Sequence, residues 1–165
     1  MIEPLHFVLA FIAGVLVKLV DDLEDERKTS SALKYPLALA YGLIIGYLIG
    51  SSAFSVLFLA ALIAQVFARK IDTISHKIGF TVAILSLLAF GFPPLDIPLF
   101  AFFLILAFLD EADFLGKLHP ITEYRLVLKA GALLMVAFGR WDYFAGIICF
   151  DIGYEAVRRL TRHIK

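Results

Sequence analysis

The chain has 165 residues, 61% of them hydrophobic and 18% charged, with a mean hydropathy of +0.90. Soluble domains are nearer half apolar and a quarter charged, and a domain this small exposes much of its surface. The composition therefore excludes an ordinary soluble globule and points to an integral membrane protein. Lysine plus arginine balance aspartate plus glutamate at 15 each, which argues against a nucleic-acid partner, and the lone Cys149 excludes an internal disulfide or a cysteine metal cage.

Seven apolar segments follow one another: Leu5–Val20, Tyr35–Gly50, Ala53–Ala68, Ile78–Phe92, Leu95–Leu109, Leu126–Gly139 and Trp141–Val157. Each is about 14 to 17 residues long, roughly 21 to 26 Å as helix. A typical span takes about 20 residues, so polar residues at the segment ends are expected to carry the helices into the headgroups. No basic stretch precedes Leu5 and no small-residue cleavage pattern follows it, so the first segment is expected to stay as a span. Ser51-Ser52 and Arg140 make very tight connections, and Gly91, Pro93 and Pro94 break the chain between the fourth and fifth segments. The expected fold is all-α: a polytopic helical membrane protein of about seven transmembrane helices.

Basic residues follow every odd-numbered segment: Arg27, Lys28 and Lys34; Arg69, Lys70 and Lys77; Lys117 and Arg125; Arg158, Arg159, Arg162 and Lys165. The opposite connections hold only Arg140. The positive-inside rule places the N-terminus outside and the C-terminus in the cytoplasm of a cell membrane. On the outer side Trp141 and Tyr143 fit an aromatic belt, and Asp96 and Asp142 are expected to be solvated by water.

An internal repeat is also expected. An offset of 89 residues superposes Pro4 on Pro93, Asp21 on Asp110, Lys28 on Lys117, Tyr35 on Tyr124, Gly42 on Gly131, Gly50 on Gly139 and Arg69 on Arg158. It divides a single membrane domain into repeat one at about 4–76, a linker helix at about 78–92 and repeat two at about 93–165. Two such triplets run parallel about an axis along the membrane normal, which brings their acidic ends to one face. Gly42, Gly46 and Gly50, spaced by four, fit a close helix crossing.

Chemistry concentrates at those ends. Asp21, Asp22 and Asp25 close the first segment, and Asp110 and Asp113 close the fifth. Carboxylates at i, i+3 or i+4 share a helix face and suit one hard cation, such as a Mg²⁺ that also holds phosphate oxygens. The blander alternative is a solvated helix end neutralised by Arg27 and Lys28. The third segment ends in a stripe of Gln65, Arg69, Asp72 and His76, whose last pair has metal-ligand or acid–base spacing. Asp151 lies seven residues before Arg158, roughly 10 Å deeper along the helix. An intramembrane carboxylate faces a cavity or a partner, so Asp151 and Glu155 are candidate catalytic groups. The alternative is structural: Glu155 paired with Arg158 or Arg159, and Asp151 bonded to Tyr154.

The stretch from Asp21-Asp22-Leu23-Glu24-Asp25 to Tyr35-Pro36-Leu37 resembles the first aspartate-rich motif of the UbiA-type intramembrane prenyltransferases. That motif is an Asn-Asp-x-x-Asp-x-x-x-Asp core at the cytoplasmic end of a span. Asp21 stands where the family has Asn, Asp22 and Asp25 fill the next two places, and Thr29 departs from the last. Asp110 and Asp113 stand loosely for the second motif, and Lys70 for a diphosphate-binding lysine. The family usually has nine spans against seven here. The resemblance implies a Mg²⁺-dependent enzyme acting on an isoprenoid or lipid diphosphate at the cytoplasmic face. The metal would bridge to Asp22, Asp25, Asp110 and Asp113, Arg69, Lys70, Arg158 and Arg159 would neutralise the remaining charge, and membrane lipid would surround the whole. Two other readings stay open: a small-solute or cation transporter with Asp151 and Glu155 in its pathway, and a membrane protein of structural role without a site.

Overall fold

The structure is a computed structural model that describes residues 3–25, 32–92, 94–111 and 124–162. Those residues form seven helices and no strand: α1 (Pro4–Asp25), α2 (Lys34–Ser51), α3 (Ser55–Phe67), α4 (Ile74–Phe90), α5 (Ile97–Glu111), α6 (Leu126–Val136) and α7 (Trp141–Arg162). The protein is all-α. Only α1 among the described residues is long and apolar enough by itself to cross a membrane; α3, α4 and α6 are shorter apolar helices.

Helix boundaries have local causes. The Thr73 hydroxyl accepts the His76 amide at 3.3 Å and starts α4, and Gly91, at a φ of 96°, ends it. The Asp96 carboxylate accepts the Leu99 amide at 3.1 Å at the head of α5, where Pro98 needs no amide partner. α6 ends by the reversal that the Gly139-Arg140 connection predicts. Gly139, at φ 77°, donates to the Val136 carbonyl, and Arg140 donates to that of Met135. α3 ends in the same pattern, but with Arg69 in the left-handed position, donating to Val66 while Lys70 donates to Gln65.

Packing follows the glycines. α1 crosses α7 with Gly14 against the Phe150 carbonyl and Gly153 against the Phe11 carbonyl, so a side chain at either position has no room. α2 crosses α4 through Gly42, Gly46 and Gly79. Contacts then run α1–α2, α2–α3, α3–α5, α5–α6, α6–α7 and α7–α1, a ring of six helices with α4 lying outside it along α2. The pairs α1–α7 and α3–α5 exchange under the 89-residue offset.

At the end of the bundle where α6 meets α7, Arg140 donates to Asp142 at 2.9 and 3.0 Å and to the Ala53 carbonyl at 2.9 Å. Asp142 is only 2% exposed, which corrects the expectation that water solvates it. The arginine takes the place of solvent and ties the α2–α3 turn to the α6–α7 turn. Tyr143 is likewise buried, whereas Trp141 is half exposed and stacks on Phe7 at 5.7 Å.

Candidate functional site

A cavity of about 760 Å³ opens at the end where α1, α3 and α5 finish and α6 begins, bounded by helices of the ring and by the first turns of α4. Its inner wall is apolar, with Ile45, Leu57, Phe58, Ala107, Leu128 and Phe150. Its mouth is charged. Asp21, Glu24 and Asp25 of α1 face it, together with Asp110 and Glu111 of α5, and so do Lys18, Arg69, Lys70 and Arg125. The acidic ends of α1 and α5, 89 residues apart, thus border one space.

Within the mouth, Asp21 is clamped. Its Oδ2 accepts the Tyr154 hydroxyl of α7 at 2.8 Å, and its Oδ1 accepts His76 Nε2 of α4 at 3.0 Å. The Asp72–His76 pair singled out by its spacing is looser, 3.9 Å from Nδ1 to the carboxylate. Glu24 is held by Lys34 at 2.8 Å, which joins the end of α1 to the start of α2. Asp25 lines the cavity and is exposed. Asp22 does not line it, and pairs instead with Lys18 one turn back at 2.8 Å.

Asp110 is buried and already committed. Its two oxygens accept the Val127 amide at 3.2 Å and the Leu128 amide at 2.6 Å. It caps α6 from a neighbouring helix, because Arg125, the residue at the cap position, supplies no side-chain bond of its own. Arg125 turns into the cavity. It reaches Asp151 at 3.0 Å and Glu111 at 3.6 Å, and lies over the Phe150 and Tyr154 rings at 5.3 and 5.2 Å. Burial opposes its charge, but Glu111, Asp151 and Tyr154 outweigh that and hold the guanidinium above its ordinary pKa.

Among the described residues only Arg69 (φ 56°) and Arg125 (φ 49°) have a positive φ without being glycine, and both line the cavity. A left-handed arginine costs on the order of 1 kcal/mol, and such strain collects where a side chain must be aimed. Lys70, beside Arg69, shares the rim.

The remaining candidates lie elsewhere. Asp151 is buried between Arg125 and Lys129, the latter at 2.6 Å, and does not line the cavity. Its lysine-side oxygen makes no well-directed hydrogen bond, so that contact is chiefly ionic. Glu155 pairs with Arg158 at 2.9 Å, and Arg158 also covers the Tyr124 ring at 5.4 Å. Neither residue lines the cavity, nor does Arg159. Asp113 falls outside the described residues. Sequence reasoning overlooked Arg125 as a site group, counting it only toward sidedness, and gave Tyr154 to Asp151 rather than to Asp21. Spacing along one helix could not reveal either contact, since the partners come from different helices.

No family model matches the chain, and no curated protein or solved structure is detectably similar to it.

The donor set is oxygen-rich but is no preformed cage. Among the described residues no three His, Cys, Asp or Glu side chains stand together in a metal-holding group. Asp110 is committed to backbone amides, Asp21 to Tyr154 and His76, Glu24 to Lys34 and Glu111 to Arg125, so Asp25 and Asp72 are the least engaged of the carboxylates lining the cavity, with Asp21 held in a fixed orientation beside them. That suits a hard cation which brings most of its oxygen ligands with a phosphate substrate and takes one or two from protein.

Proposed function

We propose that the protein is a multi-pass membrane enzyme that takes an isoprenoid or related lipid diphosphate, with Mg²⁺, into the charged mouth of this cavity from the cytoplasmic side. The observation that carries the reading is the cavity itself: carboxylates of α1 and α5 and four cations, Lys18, Arg69, Lys70 and Arg125, surround its mouth, and its inner wall is apolar. An amphipathic anion is the ligand class with that polarity. Large apolar side chains are exposed on all seven helices, among them Val8, Leu43, Phe67, Leu88, Ile105, Leu133 and Ile152, which supports a bundle surrounded by lipid. The basic residues near the mouth support its cytoplasmic placement. The repeat and its parallel arrangement are consistent with the α1–α7 and α3–α5 exchange.

Under this reading Arg69, Lys70 and Arg125 hold the phosphate oxygens, with Arg125 kept charged by its own acidic neighbours. Asp25, and Asp21 as oriented by Tyr154 and His76, receive the metal. Bound Mg²⁺ would neutralise the diphosphate and ease its departure. The apolar wall keeps water from the tail. The rival pathway through Asp151 and Glu155 has less support, because both carboxylates are ion-paired and neither lines the cavity.

The test is equilibrium binding of a prenyl diphosphate to purified protein in detergent, with Mg²⁺ and with a chelator. Binding that needs Mg²⁺ and falls at least tenfold in Asp25→Asn supports the reading. No binding, or binding indifferent to the metal, refutes it.

A further inference from the structure

We infer that this cavity has a built-in length limit, set by Phe58, and that its ligand carries two or three isoprene units and no more. The inference deepens the lipid-diphosphate reading and rests on it. Leu57 on α3 and Ala68, the residue that caps its end, both line the cavity and are eleven residues apart, a depth of roughly 16 Å. At about 1.2 Å per backbone bond, an extended isoprene unit of four bonds covers about 5 Å. Three units reach the floor and a fourth does not.

The floor is not free to yield. Phe58 meets Phe150 edge to face at 6.0 Å and Phe54 at 5.5 Å. Phe54 is fully buried, and behind it stands Phe7 at 5.4 Å, itself stacked on Trp141 at 5.7 Å. A Cβ at Gly146 would come within 3.0 Å of the Phe54 ring, so α7 supports the stack from the side. A tail long enough to press on Phe58 presses on a continuous aromatic column, and close-packed rings do not move without strain. Ala61, one turn nearer the mouth on α3, also lines the cavity and leaves the passage open.

The experiment is competitive binding of the ten-, fifteen- and twenty-carbon prenyl diphosphates, with Mg²⁺, to the full chain in detergent. The wild type is expected to bind the two shorter ligands alike and the longest at least tenfold more weakly, a difference of about 1.4 kcal/mol. Phe58→Ala should bring the twenty-carbon ligand to within threefold of the fifteen-carbon one. Ala61→Phe should weaken the fifteen-carbon ligand at least tenfold while sparing the ten-carbon one. Equal binding of all three lengths by the wild type overturns the limit and leaves the diphosphate reading standing. An unchanged ranking in a folded Phe58→Ala overturns the assignment to Phe58. Should that variant not fold, the wild-type series and Ala61→Phe decide. Binding of none of the three overturns both inferences.

Discussion

Asp110→Ala separates two roles that one carboxylate could have. If Asp110 is the cap of α6, its removal orphans the amides of Val127 and Leu128. Leu128 is 1% exposed, so its donor loses all compensation, at about 2 kcal/mol, and the half-buried Val127 amide adds about 1 kcal/mol. Loss of negative charge at a helix N-terminus adds a few tenths more. The sum is about 3 kcal/mol, and for a chain of this size each kcal/mol lowers Tm by roughly 2–4 °C. A fall of roughly 6–12 °C is expected in detergent, equal with and without Mg²⁺. Asp110→Asn keeps one acceptor oxygen and should lose about half as much. Thermal unfolding followed by circular dichroism measures both. A variant that unfolds at the wild-type temperature in chelator, yet loses the Mg²⁺ dependence of ligand binding, would show that Asp110 is a metal ligand and would refute the capping argument.

Arg69→Gly removes the left-handed strain at the end of α3 and should stabilise the protein by about 1 kcal/mol while weakening diphosphate binding; a variant both less stable and unchanged in binding would contradict this. Arg140→Ala leaves the 2%-exposed Asp142 carboxylate without its cation and should cost about 3 kcal/mol, with Arg140→Ala/Asp142→Asn recovering a large part; equal Tm values for the single and double variants would argue against the pair. Gly153→Leu has no room against the Phe11 carbonyl, so α1 and α7 must separate. Lost thermal stability and lost ligand binding together are expected, and a wild-type Tm would remove the tight crossing as an explanation.

The helices were legible because apolar runs and their breaks are local. Gly91, Gly139 and Ser51-Ser52 punctuate the chain where the helices stop, and Gly42 and Gly46 sit at a close crossing, as their spacing suggested. The acidic end of α1 was legible in part: a continued helix does carry Asp21 and Asp25 to the cavity, but Lys18 claims Asp22. The fates of Asp110 and Asp151 were not legible. Each carboxylate is satisfied from another helix, Asp110 by the amides of α6 and Asp151 by Arg125 and Lys129, and helix periodicity carries no information about which helix arrives opposite. Asp142 misled for the same reason. A short polar connection reads as wet, and only the return of the α2–α3 turn shows that Arg140 covers it.

The bond between Tyr154 and Asp21 joins α7 to α1, across 133 residues of chain. A ribosome needs on the order of 10 s to cover that distance. Throughout that interval α1 has its partner-binding glycine in place and nothing to set against it. α7 supplies Ile147, Phe150 and Tyr154 to the cavity wall, so that side of the wall is absent until α7 has docked between α1 and α6.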